Sequence, residues 1–240
     1  MNDSRRPSLK NYEQIEERFF NVLYSQLKDR MFLYVLTGSL AEGSAIPGWS
    51  DIDVLVGVDR HDRDSFAAVQ LALEENKEPV KIGVTVLSRA EATHPFLKPS
   101  RIYDVFSLIA SGVYKPRIQN TEIFKSEEQS ESTVRAANVA EFGLFLQFLK
   151  KGLMQGPDRF DEHEVHKYMT ILLKILLREK GIKARSYADV AYNISAIPDL
   201  PLVFRLPSEI VTAPESSTER FGLYLEFVQW IDKNSDALFR

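Results

Sequence analysis

The sequence predicts an α+β fold, with a helix-flanked β-sheet in the N-terminal half and a helical bundle in the C-terminal half. Up to Phe124, short runs of β-branched and aromatic residues are interspersed with amphipathic helical patterns. The polar stretch KSEEQSES, Lys125–Ser132, then interrupts the chain, and the patterns that follow it are helical. We therefore predict two domains, residues 1–128 and 129–240.

Composition narrows the classes of function. The 240 residues are 44% hydrophobic, which is ample for a core, and 30 Lys and Arg against 34 Asp and Glu give a net charge of −4. That balance disfavours bulk nucleic acid as a partner, since such binders usually carry a basic footprint. The absence of cysteine excludes disulfides and thiolate zinc sites. With no apolar signal segment and no run of about 18 apolar residues, we expect a cytoplasmic protein without a membrane partner.

The N-terminal elements follow from periodicity. The first helix has one apolar stripe, and the strands are rich in branched and aromatic residues. In the second helix we expect Phe66, Val69 and Leu73 to face inward. The predicted order is helix Leu9–Asp29, strand Met31–Leu36, strand Asp51–Val56, helix Arg60–Lys77 and strand Val80–Leu87. A helical turn Arg89–Thr93, a helix Ser100–Gly112 and a strand or irregular link Val113–Phe124 complete the domain.

The link between the first two strands has the character of an anion-binding loop. Gly38 and Ser39 break the first strand at a residue that can adopt unusual backbone angles. Leu40–Gly43 can form the first turn of a helix, whose free N–H groups would point at an anion held beside Gly38 and Ser39.

Two carboxylates follow that loop with a spacing of two. Side chains alternate along a strand, so Asp51 and Asp53 share one face while Ile52, Val54 and Val56 occupy the other as core. Mg²⁺ prefers a few carboxylate oxygens together with substrate phosphates, and such ions can activate an attacking oxygen and neutralise a leaving pyrophosphate. The pattern therefore indicates metal-assisted chemistry on a nucleotide phosphate.

These residues resemble the signature of the DNA polymerase beta-type nucleotidyltransferase superfamily. The similarity rests on Gly38-Ser39, Ala41, Gly43 and Asp51-Ile52-Asp53 followed by Val54-Leu55-Val56. It implies a mixed sheet, an NTP donor such as ATP, and transfer of a nucleoside monophosphate with loss of pyrophosphate. It also implies that Gly38 and Ser39 bind the triphosphate and that Asp51 and Asp53 are the catalytic acids that hold Mg²⁺ or Mn²⁺. The two-domain outline is similar to that of small stand-alone members, the aminoglycoside (kanamycin-type) nucleotidyltransferases.

The sequence departs from the superfamily at the third acid. Members usually carry another carboxylate on the next strand, commonly as the general base, but here Lys81, Gly83 and Thr85 occupy the matching face. Glu78 precedes the strand and is a weak substitute, more in keeping with a solvated helix end. Lys81 can pair with Asp51 or Asp53, or contact phosphate. The sequence does not choose between these roles.

The C-terminal half is predicted as helices separated by glycine and proline. The segments are Thr133–Met154, apolar almost all round from Val139 and hence a central buried helix, then Glu162–Lys180, Ser186–Ser195 and Ser217–Lys233. We expect Ile197–Ser216, with its four prolines, to be irregular and to serve as a lid, as an arm that joins a homodimer, or as a connector.

Other polar residues have a structural and a functional interpretation, and the structural one is favoured. His163 and His166 read as titratable surface residues near a helix start rather than a metal pair, and His94 beside Pro95 as a turn residue. Glu141 fits a helix-side acid or a substrate contact. For two further sets we favour solvated faces over phosphate contacts: Arg101, Lys115 and Arg117, and Lys167, Lys174 and Arg178.

The predicted function is transfer of an NMP group from an NTP to a hydroxyl of a small molecule or protein, with the helical domain binding the acceptor. The alternative is a degenerate module that binds nucleotide or a partner without turnover, because the third carboxylate is not evident.

Overall fold

The computed structural model describes residues 7–77, 79–93, 100–120, 131–200, 204, 206–212 and 217–238. The chain divides into two compact units, Met1–Glu128 and Gln129–Arg240. Predicted features at Glu78, at His94 and in Lys125–Ser130 lie outside the described residues.

The N-terminal unit is built on a mixed four-stranded sheet. Its strands are β1 Met31–Thr37, β2 Ile52–Val58, β3 Ile82–Ser88 and β4 Ile118–Gln119, in the order β3-β2-β1-β4. β1 pairs antiparallel with β2 and with β4, whereas β2 and β3 are parallel. The helices are α1 Leu9–Leu27, α2 Gly38–Ala41, α3 Arg63–Glu74, α4 Arg89–Thr93 and α5 Ser100–Ala110, and Lys28–Arg30 forms a 3₁₀ turn. The α+β prediction is confirmed.

The sheet has an apolar layer on each face. Ile52, Val54 and Val56 of β2 pack with residues of α1 and α3 on one face. Leu55 points the other way and packs with Leu87 and with residues of α5. Because Asp51 and Asp53 alternate with the first set, they belong to the face that α5 covers further along the strand.

The prediction that Phe66 faces inward is wrong. Its side chain is 53% exposed and stacks on the imidazole of His61, with ring centroids 5.4 Å apart. Helix α3 begins at Arg63, because the Asp62 carboxylate accepts a hydrogen bond from the backbone N–H of Ser65 and caps it. The buried face of α3 is formed by Ser65, Ala68, Val69 and Ala72, and Phe66 lies outside it.

The C-terminal unit is helical. Its elements are α6 Glu131–Leu153, α7 Glu162–Glu179, α8 Tyr187–Asn193, α9 Pro207–Thr212 and α10 Ser217–Leu238, with a 3₁₀ turn at Ile194–Ala196. Helix α7 is capped by the Asp161 carboxylate, which accepts the Glu164 N–H. Its fully buried Leu172 and Leu173 lie in the centre of the apolar core. None of the helices in the described residues is long and apolar enough to cross a membrane.

Two expectations for this unit are corrected. Helix α6 is not buried all round: Val139, Leu144 and Phe148 are 44%, 51% and 39% exposed, because one face of the apolar run lies outside the core. The segment Ile197–Ser216 is not irregular throughout, since it contains α9. Proline is compatible with the first helical position, where its missing N–H has no intrahelical partner, so Pro207 can open that helix.

Candidate active site

A glycine turn ends the central strand β1. Gly38 has a φ of +66°, a left-handed conformation that favours glycine, and it leads into the single turn of α2. The loop then closes on itself, as the Ser44 N–H donates to the Ser39 carbonyl at 2.8 Å. The structure thus places Gly38 and Ser39 at a tight turn at the carboxyl end of β1.

Two carboxylates lie on the neighbouring strand. Asp53 is the second residue of β2 and pairs with Thr37, the residue before the glycine turn, while Asp51 immediately precedes β2. Both acids are half-buried, whereas Ile52 between them is fully buried in the core. The predicted common face for the acids therefore agrees with the burial pattern.

The Asp53 side chain is held between two glycines. A Cβ added at Gly38 would lie 2.9 Å from Asp53 Oδ2, and one added at Gly83 would lie 2.7 Å from Asp53 Oδ1. Both distances are too short for a carbon against an oxygen, so the carboxylate occupies the space that side chains at 38 and 83 would fill. Asp53 therefore extends from the glycine turn to β3.

Strand β3 supplies no third acid. Gly83 pairs directly with Asp53, and Thr85 pairs with Leu55 one step deeper. Lys81 is exposed just before the strand, and its backbone carbonyl accepts the Ile52 N–H at 2.9 Å. Among the described residues, no three histidine or acidic side chains are grouped to hold a metal ion.

Tyr12 fixes the approach to Asp51. Its hydroxyl donates to the Ser50 carbonyl at 2.9 Å and accepts the Gly48 N–H at 3.1 Å. Burial raises the pKa of the Tyr12 hydroxyl above its ordinary value, and the charge of Asp51 adds to that rise despite the opposing Gly48 hydrogen bond. A tyrosine of α1 thus remains a donor and holds the turn that presents Asp51.

A second tyrosine contacts the glycine turn. The Tyr114 hydroxyl accepts the Gly38 N–H at 3.3 Å and donates to Glu42 Oε1 at 2.8 Å. Sequence reasoning missed Tyr12, Glu42 and Tyr114, because these contacts join residues up to 76 positions apart and no local pattern marks them.

The two aspartates fit the donor set of one Mg²⁺ or Mn²⁺. Carboxylate oxygens are the ligands these ions prefer, and the glycines at 38 and 83 leave the Asp53 oxygens free of side-chain crowding. A dense protein cage is not required, since magnesium commonly completes its coordination with water and phosphate oxygens.

Several other predicted polar residues are engaged elsewhere. Arg117 is exposed, and it pairs with the buried carboxylate of Glu16 and lies over the Phe20 ring, so this cation is in contact with α1. Arg178 donates to Asn138 at 2.8 Å, and Lys174 donates to the carbonyl of Arg185, so neither is simply a solvated charge. The side chain of Arg101 lies outside the described residues.

The surface interpretation of His166 is wrong. The side chain is 1% exposed and stacks with Tyr187 and Phe204, while its Nδ1 lies 3.3 Å from the Tyr224 hydroxyl. Burial, with a smaller contribution from the charge of His163, lowers its pKa to about 3. A histidine on the inner face of an amphipathic helix becomes part of the core, and helical spacing alone does not separate that case from a surface one.

Comparison with known proteins agrees with this geometry. Residues 23–107 match the family model of the nucleotidyltransferase domain, a span that contains both aspartates and the glycine turn. The spectinomycin adenyltransferase AAD(9) from Enterococcus faecialis, solved with ATP and spectinomycin, has a similar structure. The TM-score is 0.63 at 13% identity, over 93% of this chain and 99% of that one. No curated protein sequence matches the chain.

The domain match and the shared fold lead to one conclusion. Residues 23–107 of the N-terminal unit match the nucleotidyltransferase domain, and the chain as a whole is similar in fold to a spectinomycin adenyltransferase.

Proposed function

We propose that this chain transfers a nucleoside monophosphate from an NTP, with ATP as the expected donor, to a hydroxyl group of a small molecule. The observation that carries the proposal is the position of the Asp53 carboxylate, held between the glycine turn at Gly38 and strand β3 with Asp51 on the same face. The adenyltransferase with the same fold was solved with ATP and a small molecule, which favours a small acceptor over a protein.

The reaction follows from that arrangement. The turn at Gly38 and Ser39 positions the triphosphate, and Asp51 and Asp53 would hold Mg²⁺, which would offset negative charge on the phosphates and the leaving group. An acceptor oxygen attacks the α-phosphorus in line, a new P–O bond forms, and the bond to the β-phosphate oxygen breaks. Pyrophosphate leaves with the electron pair of that bond. Most of the rate acceleration is expected to come from holding the reactants in a productive geometry.

We assign acceptor binding to the helical unit, residues 129–240. The fold likeness extends over both halves of the chain, so this unit is part of the shared architecture and not an unrelated extension. The chemical identity of the acceptor is a separate question, because fold alone does not specify a substrate.

The first experiment is calorimetric titration of ATP, GTP, CTP and UTP, with and without Mg²⁺. We expect Mg²⁺-dependent binding in the wild type and none in Asp51→Ala/Asp53→Ala. Asp59→Ala is the matched control: this acid follows the other end of β2 and pairs with Arg89. Binding that ignores both Mg²⁺ and the two aspartates would contradict the proposed site.

The second experiment follows the label from an α-³²P NTP. Spectinomycin, aminoglycosides and a small-molecule extract are offered as acceptors, and pyrophosphate release is measured in parallel. Asp53→Ala should abolish transfer while the thermal unfolding profile keeps its shape. Full activity in Asp53→Ala would contradict the assignment of this residue.

One observation favours a rival function. Gly83 stands on β3 opposite Asp53, where an acid would be expected, and the described residues contain no third metal-binding side chain near the pair. A degenerate module would bind nucleotide without releasing pyrophosphate, or would bind none. Transfer of label by the wild type rejects this rival, and Mg²⁺-dependent binding without any transfer supports it.

A further inference from the structure

Glu42 is placed where a carboxylate opposes the proposed ligand. Its Oε1 accepts a hydrogen bond from Tyr114, whose hydroxyl in turn accepts the Gly38 N–H of the glycine turn. Like charges repel, so a carboxylate fixed beside a triphosphate loop weakens nucleotide binding. A role in holding the triphosphate therefore does not explain this acid.

The position of Glu42 is fixed and not incidental. Tyr114 is 5% exposed and packs in the apolar layer between the sheet and α5, on the face of β2 that carries Asp53. Its hydroxyl reaches the glycine turn from that face, and Glu42 is half-buried just after α2. Tyr114 thus holds the Glu42 carboxylate at the turn, on the same side of the sheet as the two aspartates.

Strand β3 cannot provide the equivalent group in this chain. Any side chain at Gly83 would begin 2.7 Å from Asp53 Oδ1, so an acid there requires Asp53 to move. A protein carboxylate that accepts the proton of the incoming hydroxyl is therefore sought on another element of this face. Glu42 is the acid that the hydrogen-bond network of the turn supplies.

We propose that Glu42 accepts the proton of the acceptor hydroxyl, and that Tyr114 is a positioning residue that orients Glu42. This inference rests on the proposed nucleotidyl transfer. As the acceptor oxygen bonds to the α-phosphorus, its O–H bond breaks and the proton passes to a Glu42 carboxylate oxygen. The bond between the α-phosphorus and the pyrophosphate oxygen breaks in the same step, and Glu42 later returns the proton to water.

The test separates turnover from nucleotide binding. Loss of a general base typically costs about 10²–10⁴-fold in rate. In Glu42→Gln we expect kcat to fall by about 10²-fold or more, while the MgATP dissociation constant stays equal or becomes smaller because a repelling charge is gone. Glu17→Gln, on the exposed face of α1, is the control with unchanged kcat and binding.

Two further variants distinguish catalysis from damage to the turn. Glu42→Ala should recover activity when sodium formate is added, because a small carboxylate can replace the missing side chain. Tyr114→Phe should lower kcat by about tenfold, because the Glu42 carboxylate is still present but is no longer oriented by the tyrosine hydroxyl. Formate should not rescue this variant, as expected if Tyr114 is a positioning residue. Formate rescue of Glu42→Ala is an outcome that a purely structural role does not produce.

The outcomes separate this inference from the function on which it rests. The acceptor used is the compound that the wild type labels from α-³²P ATP. If the wild type transfers label and Glu42→Gln keeps its kcat within about threefold, Glu42 is not the proton acceptor but the transferase assignment stands. If no compound is labelled although MgATP binds, the proposed function and this inference both fall.

Discussion

The contact between Asp53 and Gly83 predicts that a single methyl group on β3 will damage the site. In Gly83→Ala the new Cβ would lie 2.7 Å from Asp53 Oδ1, whereas an ordinary contact begins at 3.4 Å. Either the strand or the carboxylate must move by about 0.7 Å. The carboxylate is the end of a side chain and β3 is paired along its whole length with β2, so we expect Asp53 to yield.

The size of the effect follows from that displacement. Misplacing a catalytic group by about 1 Å can cost about 100-fold in rate, so a shift of about 0.7 Å should lower kcat about 10- to 100-fold. Stability should change by less than about 1 kcal/mol, because alanine suits a strand at least as well as glycine. We therefore expect Gly83→Ala to remain folded but to lose most of its turnover and of its Mg²⁺-dependent ATP binding.

Two other glycines provide matched controls. Gly43→Ala introduces a side chain at a φ of +70° with no atom within 4 Å, so it reports only the cost of the left-handed backbone, roughly 1–2 kcal/mol. Gly38→Ala combines that cost, at a φ of +66°, with a Cβ 2.9 Å from Asp53 Oδ2. Gly83→Ala isolates the contact with Asp53 alone.

The assays are calorimetric MgATP binding, label transfer from α-³²P ATP and thermal unfolding on all three variants. We expect Gly43→Ala to lose stability but retain binding, Gly83→Ala to lose binding but retain stability, and Gly38→Ala to lose both. If Gly83→Ala binds MgATP and turns over like the wild type, the Asp53 carboxylate does not need its observed position and the reasoning is refuted.

Three further predictions concern stability. Gly152→Ala should destabilise the chain, because its Cβ would lie 2.7 Å from a valine methyl group of α7. Gly143→Ala on the same helix meets no atom within 4 Å and should stabilise the chain by about 1 kcal/mol. Chemical denaturation compares the two variants, and equal effects would contradict the packing argument. Burial lowers the pKa of His166 from 6.5 to about 3, so the folded state resists protonation of this imidazole. The free energy of unfolding should therefore fall as pH drops below about 6.5, by up to about 1.4 kcal/mol per pH unit. Denaturation midpoints between pH 7 and 5 measure this slope, and His166→Phe should flatten it. Arg117→Met should cost about 1–3 kcal/mol by leaving the Glu16 carboxylate buried without its cation, less than in a fully buried pair because the Arg117 side chain is 40% exposed. The added change Glu16→Leu should restore much of the loss; no recovery in the double variant would assign the loss to packing of the arginine instead.

Local patterns were sufficient for the strands and for the α+β class. β1 is a continuous run of branched and aromatic residues, and the chain at the start of β2 alternates Asp51 and Asp53 with Ile52 and Val54; both features are properties of neighbouring positions. Phe66 shows where this fails, because the buried face of α3 consists of Ser65, Ala68, Val69 and Ala72, and the larger ring lies outside that face and stacks on His61. Apolar character at helical spacing does not by itself show which residues of a helix lie at the centre of its buried face.

The sequence predicts only those site residues that lie close to one another along the chain. Gly38, Ser39, Asp51 and Asp53 lie within 16 positions of one another, and their assignment as binding and catalytic residues remains a prediction. Tyr114 reaches Gly38 across 76 positions, and a contact of that range leaves no periodic trace in a sequence. His166 is a related case, since its aromatic neighbours Tyr187, Phe204 and Tyr224 come from three later segments.

The close approach of Asp53 to Gly83 also constrains how this chain can change through mutation. A carboxylate gained at position 83 would be harmful while Asp53 keeps its present rotamer, and a new rotamer of Asp53 gives no benefit while position 83 is glycine. The effect of a substitution at position 83 therefore depends on where the Asp53 carboxylate lies, so the two positions are epistatic. A chain that gains an acid on β3 must accommodate it through a second adjustment at Asp53.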